Sequence, residues 1–176
     1  MDLVQWGIAA IISILTFLGG RSFERRRIAQ QNRLKLLEPV EDWVEHASRL
    51  IGIVGDELSA ITQGLPFPVA YGPEDRAKTA KRLGENKEKV LGILKSEALH
   101  TRGTRPISSR LADLVVRLDL LIEREYLQAY YRLFESLEKR VDPGQHMAAV
   151  LIVTSAANAL IQEIHSCLAE LKTRYN

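Results

Sequence analysis

From Leu3 to Gly20 the chain carries no charged side chain, and nine of these eighteen residues are Leu, Ile, Val or Phe. A run of that length and composition is long enough to enter a bilayer as a helix. At about 1.5 Å rise per residue it covers roughly 27 Å, slightly less than a hydrocarbon core of about 30 Å, a deficit that flanking residues or local thinning absorbs. A cleaved signal peptide carries positive charge ahead of its apolar run. Here Asp2 precedes the run, and Arg21, Arg25, Arg26 and Arg27 follow it. The segment is therefore expected to stay attached as a signal-anchor helix. Because Lys and Arg are retained on the cytoplasmic side, the amino terminus is expected outside and the remainder in the cytoplasm. Trp6 suits the outer interface, Phe23 the inner one, and Arg21, Arg25, Arg26 and Arg27 the headgroups beyond it. Ala9 with Ser13, and Thr16 with Gly20, have the four-residue spacing of small residues that lets two transmembrane helices approach closely.

The remaining chain predicts an all-α fold. Apolar residues recur at helical spacing almost throughout, and no stretch alternates with period two for long enough to make a strand. Of 176 residues, 46% are hydrophobic and 26% charged, a balance that excludes disorder, and the single cysteine, Cys167, excludes a disulfide framework. The first soluble helix is marked by Val40, Trp43, Val44, Ala47, Leu50, Ile51, Val54, Leu58 and Ile61, with Pro39 either in its first turn or kinking a helix that continues from the membrane. Residues 63–73 (QGLPFPVAYGP) cannot be helical. A second helix restarts at Pro73-Glu74-Asp75 and runs to about Leu99. The stretch 101–106 (TRGTRP) breaks the pattern, after which Ser108 or Ser109 can cap a third helix reaching Leu137. Asp142 caps the last helix. That helix carries two apolar stripes, one through Met147, Val150, Leu151, Thr154, Ala157, Leu160, Ile161, Ile164, Leu168 and Leu171, the other through Ala149, Ile152, Val153, Ala156 and Ala159. Such a helix is either central among its neighbours or shared with a partner chain, and the central placement is the expectation. The organisation predicted is a transmembrane helix over 1–20, a basic juxtamembrane helix over 21–37, and an antiparallel up-down four-helix bundle over 38–176.

That topology gives the bundle unlike ends. Residues 21–35, joined by Arg102, Arg105, Arg110, Lys172 and Arg174, make the end beside the membrane basic, and anionic lipid attracts such a cluster by about 1 kcal/mol per basic residue close to the surface. Asp56, Glu57, Glu74, Asp75, Glu135, Glu138 and Asp142 make the far end acidic.

Residue patterns that carry chemistry are sparse. A carboxylate-bridged metal pair in a bundle needs two Glu-x-x-His motifs, and only Glu97 and His100 form one. Glu163, His165 and Cys167 are neighbours in sequence, but alternate helical residues point apart and do not chelate together. Cys167 is expected to be a small buried thiol. No phosphate loop, nucleophile elbow or zinc-helix motif occurs. Tyr126, Tyr130 and Tyr131 are expected to pack between helices with hydroxyls at the rim. Lys78, Lys81, Arg82, Lys87 and Lys89 alternate with Glu85 and Glu88 as a solvated face. A net charge of +2 without aromatic platforms argues against nucleic acid. The loop's Leu65, Phe67, Val69 and Tyr71 either dock into an aromatic-lined partner groove or fold over the bundle end.

These observations predict a single-pass membrane protein without metal or cofactor, acting as an adaptor, assembly factor or scaffold. Its partners are membrane lipid, an unidentified protein and a second copy in a homo-oligomer. The alternatives are a ligand-binding sensor bundle, and a membrane-acting effector that oligomerises through its transmembrane helix. Enzymatic activity is not expected.

Overall fold

The computed structural model describes the backbone of residues 3–63, 73–101 and 103–175, and side chains at 24–52, 57–63, 75–101 and 103–175. Among the described residues the chain is all helix, with no strand. The elements are α1 (Leu3–Thr62), α2 (Pro73–Lys95), α3 (Arg105–Leu121), a π turn (Ile122–Tyr126), α4 (Leu127–Glu138) and α5 (Gly144–Tyr175). The π turn joins α3 and α4 into one rod.

α1 continues through Pro39 without a break. Of the two roles open to that proline, it takes the place inside a continuing helix, where it removes one backbone hydrogen bond and leaves the rod otherwise intact. Residues 3–20, 21–37 and 38–62 thus lie on one helix. α2 opens at Pro73 as its sequence requires but ends at Lys95, short of Leu99. Leu99 is fully buried, and its carbonyl accepts hydrogen bonds from Thr104 Oγ1 (3.1 Å) and Tyr175 Oη (2.5 Å). Tight turns at Ser96, Leu99 and His100 replace the last helical turn to bring that carbonyl round. α3 begins earlier than expected, because Pro106 sits in its first turn and starts the helix instead of blocking it. Ser108, expected as a cap, lies inside the helix and is fully buried.

α4 ends in a left-handed residue, Arg140 (φ 54°), with Val141 N–H donating to Ser136 O and Arg140 N–H to Leu137 O. This is the Schellman pattern, which normally places glycine at Arg140's position. Arg140→Gly is expected to stabilise the fold by about 0.5–1 kcal/mol by removing the Cβ strain, partly offset by the greater freedom of an unfolded glycine. Denaturant melts of the two chains would show it, and a destabilised variant would refute the strain. Asp142 Oδ1 accepts the Gly144 N–H at 3.0 Å, so the expected cap of α5 is present.

Contacts between the helices fix how the rods lie. α1 packs on α2 and α5, while α2 packs on α3 and α4, which in turn pack on α5. The Trp43 indole N–H donates to Leu83 O (2.9 Å), and Arg33 Nε donates to Ala98 O (3.2 Å), so α1 and the chain through α2 run in opposite directions. Lys172 pairs with Glu41, and the Arg33 guanidinium lies 5.9 Å from the Tyr175 ring centre, which reverses α5 against α1 as well. One continuous core runs between the rods, from Leu37 at one end to Leu58 and Leu133 at the other.

Candidate interaction face, buried polar latch and interhelical cleft

The most tightly built constellation is polar. Arg76, on the first turns of α2, is 1% exposed. Its Nη1 donates to Leu50 O on α1 (2.9 Å) and to Tyr126 Oη (2.5 Å), its Nη2 is bonded to Glu57 Oε2, and its guanidinium carbon lies 4.1 Å from the Tyr130 ring centre. Tyr126 Oη donates to Leu50 O (2.9 Å), and Tyr130 Oη donates to Glu57 Oε2 (3.1 Å). Three rods are thereby tied at one depth. Burial disfavours the Arg76 charge, but the hydrogen bond to Glu57 and the surrounding oxygens outweigh it and hold its pKa above the ordinary value. Burial pushes the Tyr126 hydroxyl well above the usual phenol range and Tyr130 up to about 12, with the Arg76 charge opposing in both. At neutral pH these phenols stay protonated, so the cluster is a latch of fixed donors and acceptors, not an acid-base pair. Glu57 therefore leaves the acidic far end expected of it, since its charge is neutralised inside.

The Tyr126 and Tyr130 hydroxyls, expected at the rim, are in the core while Tyr131 is exposed, and the π turn explains how. Leu118, Ile122, Tyr126 and Tyr130 follow one another at four-residue steps and are all buried. On an ordinary α-helix each such step drifts by about 40°, so three in succession leave the face they began on. The wider π turn absorbs the drift. Three consecutive four-residue steps between apolar positions are the signal by which the sequence announces it.

α5 is the one helix among the described residues long and apolar enough to cross a membrane, yet only 28% of its most apolar stretch is buried. Its first stripe faces α1, α3 and α4. Its second stripe does not become central: Ala149, Ala156 and Ala159 are exposed, Val153 is half-buried and Ile152 is 70% exposed, and Leu151, expected in the first stripe, is 53% exposed beside them. With neighbours packed on its inner side, the outward arc points to solvent. Residues 143–162 contain no Asp, Glu, Lys or Arg. By contrast, the outer faces of α1, α2 and α3 carry Glu45 and Arg49, Lys81 and Glu85, and Asp113 and Arg117.

A cavity of about 340 Å³ lies between α1 and α2, lined by Pro39, Asp42, Trp43 and His46 on one side and by Thr79, Arg82, Asn86 and Lys89 on the other. Lys78, Lys81 and Lys87 on the same α2 are ion-paired to Asp75, Glu85 and Asp119. The pairing of Lys87, whose hydrogen bond to Asp119 (2.6 Å) raises its pKa, departs from the fully solvated face expected there.

Of the residues singled out from sequence, Arg25, Arg26 and Arg27 are exposed on α1. The side chains of Trp6, Arg21 and Phe23, with the rest of the apolar run, lie outside the described residues, as do Leu65, Phe67, Val69 and Tyr71. Glu97 accepts from Arg105 Nη2 (2.8 Å) and His100 Nε2 is hydrogen-bonded to Leu94 O, so the two are engaged separately. Cys167 is buried, as expected.

Compared with protein families, with curated proteins and with solved structures, the chain matches none.

Proposed function

We propose that the chain is a single-pass membrane protein whose run over 1–20 anchors an antiparallel up-down four-helix bundle at the cytoplasmic face, and that it works through protein contacts as an adaptor, assembly factor or scaffold. The observation that supports contact over catalysis is the outer arc of α5, an exposed, uncharged helix face on a molecule whose other helices turn charge to solvent. Faces of that kind mark interaction sites. The unbroken α1 supports the anchoring half, because a helix continuous from Leu3 to Thr62 couples the apolar run mechanically to the helices that follow.

Fractionation tests the anchor. The full-length chain is expected in the membrane pellet and to resist alkaline carbonate extraction, while a chain without residues 1–20 moves to the supernatant. A cysteine introduced by Lys81→Cys is expected to escape an impermeant thiol reagent in intact cells. Full-length protein in a detergent-free supernatant would remove the anchor, and labelling at that cysteine would reverse the orientation.

The cleft between α1 and α2 supports a second reading, ligand sensing. Arg82 and Lys89 line it without a carboxylate partner among the described residues. A small carboxylate or phosphate ligand would then raise the melting temperature in a way that Arg82→Ala with Lys89→Ala abolishes.

A further inference from the structure

We infer that the occupant of the outer α5 face is a second copy of this chain, the two α5 helices lying side by side and parallel about a two-fold axis normal to the membrane. This rests on the membrane-anchored reading above and names the partner of that face.

The spacing is the first argument. Ala148, Ile152, Ser155, Ala159, Gln162 and Ser166 are all exposed and follow one another by alternating steps of four and three, the seam along which two helices supercoil. Four of the six are Ala or Ser, small enough for the backbones to approach closely, and Ile152 supplies a knob. Because seven residues separate Ile152 from Ala159, a parallel copy meets both positions with the same residue opposite.

Charge is the second. The seam is uncharged as far as Gln162, so whatever covers it must be uncharged too. On a second copy the outer faces of α1, α2 and α3 would bring Arg49, Lys81 or Arg117 against alanines and leave them desolvated without partners, a costly arrangement. The outer face of α5 is the complement the molecule itself offers.

Area is the third. From Ala148 to Ser166 the strip is about 27 Å long at 1.5 Å per residue and about 10 Å wide, a footprint of roughly 270 Å². A stable complex of freely diffusing partners buries about 800 Å² on each side. The strip has the dimensions of one helix and is too small to hold a free globular protein. Two copies confined to one bilayer meet at a high effective concentration, which compensates for the small contact, and their shared anchor dictates the parallel orientation.

Cysteine cross-linking of the full-length chain in its membrane tests this. In a Cys167→Ala background, Ile152→Cys and Ala159→Cys are each expected to give a disulfide-linked dimer on mild oxidation, several-fold above Lys81→Cys on the outer face of α2. Opposed Cβ atoms in a disulfide must lie within about 4.5 Å, so linkage at both seam positions requires the parallel register. Linkage at one seam position alone would overturn that arrangement, since an antiparallel pair brings no more than one residue opposite itself. Absence of linkage at both, or linkage no greater than at Lys81→Cys, would overturn the second copy as partner. Should Ile152→Asp then still release another protein from the membrane-bound chain, the contact function stands and the inference alone fails.

Discussion

Replacing Arg76 with alanine is expected to cost about 3–5 kcal/mol of folding stability, the loss that follows from breaking a buried ion pair. The side chain is 1% exposed and satisfies Leu50 O, Tyr126 and Glu57 together. Glu57 is itself 2% exposed in the intact fold, and without Arg76 its Oε2 keeps only Tyr130 while Oε1 has no hydrogen-bond partner among the described residues. Deleting one member of a buried pair is expensive because the other stays behind as an uncompensated charge. Replacing both by apolar residues of similar volume removes that charge, so Arg76→Met with Glu57→Leu is expected to recover most of the loss. Chemical denaturation of the full-length variants in mild detergent measures both. A double variant as unstable as the single would show that the loss arises from packing around the guanidinium and not from a stranded carboxylate.

The recovery bears on why such a pair is present at all. Helices that pack through apolar stripes alone tolerate axial slippage of one past another, because one leucine replaces the next at little cost. The Arg76 bonds to Leu50 and Glu57 are satisfied in one register of α1 and α2 only, and Tyr126 and Tyr130 extend that register to α4. The latch therefore selects an arrangement of the rods more than it stabilises one.

How much of this is legible in the sequence varies with the kind of signal. The helices announce themselves by periodicity, since burying one stripe per helix is a local requirement that leaves a local trace. Their ends are harder to place. Leu99 leaves α2 because its carbonyl is claimed by Thr104 and Tyr175, one of them 76 residues away, and no window around Leu99 contains that information. Pro106 has the same appearance as a breaker or as a first-turn residue, and only its neighbours decide. The latch escapes a reading of the sequence for a related reason. Arg76 and Glu57 each look like surface charges, because an isolated charge on a helical stripe is usually solvated. The two stripes of α5 are visible, but their surroundings are not: an Ala-rich second stripe suits a central helix and an oligomer interface equally, and the choice depends on where α1, α3 and α4 end up.

Raising the pH is expected to unfold the chain through the same latch. Burial raises the pKa of Tyr126 and Tyr130 in the folded state above the ordinary phenol value, Tyr130 to about 12, and the hydrogen bond to Asp119 raises Lys87 above that of a free lysine. All three move in the same direction. A group that binds its proton more tightly when folded contributes its full stability below the unfolded pKa and loses it as pH climbs through the folded one. For the tyrosines the unfolded chain begins releasing protons near about pH 10 while the folded chain holds them. For Lys87 the pairing disappears as the ammonium is neutralised. These groups therefore leave stability level between about pH 7 and pH 9 and draw it down together above about pH 10, by a few kcal/mol in all, since a tenfold difference in proton affinity between the folded and unfolded chain corresponds to about 1.4 kcal/mol. Denaturant melts at about pH 8, 10 and 11 would record the fall, with tyrosinate absorbance rising in step with loss of helix. Tyr130→Phe separates the latch from general alkaline damage. It gives up the hydrogen bond to Glu57, about 1–2 kcal/mol at neutral pH, yet it removes one of the titrating phenols and is expected to flatten the alkaline slope. An unchanged slope in that variant, or full ionisation of the tyrosines while the helices persist, would place these phenols in water and dissolve the latch.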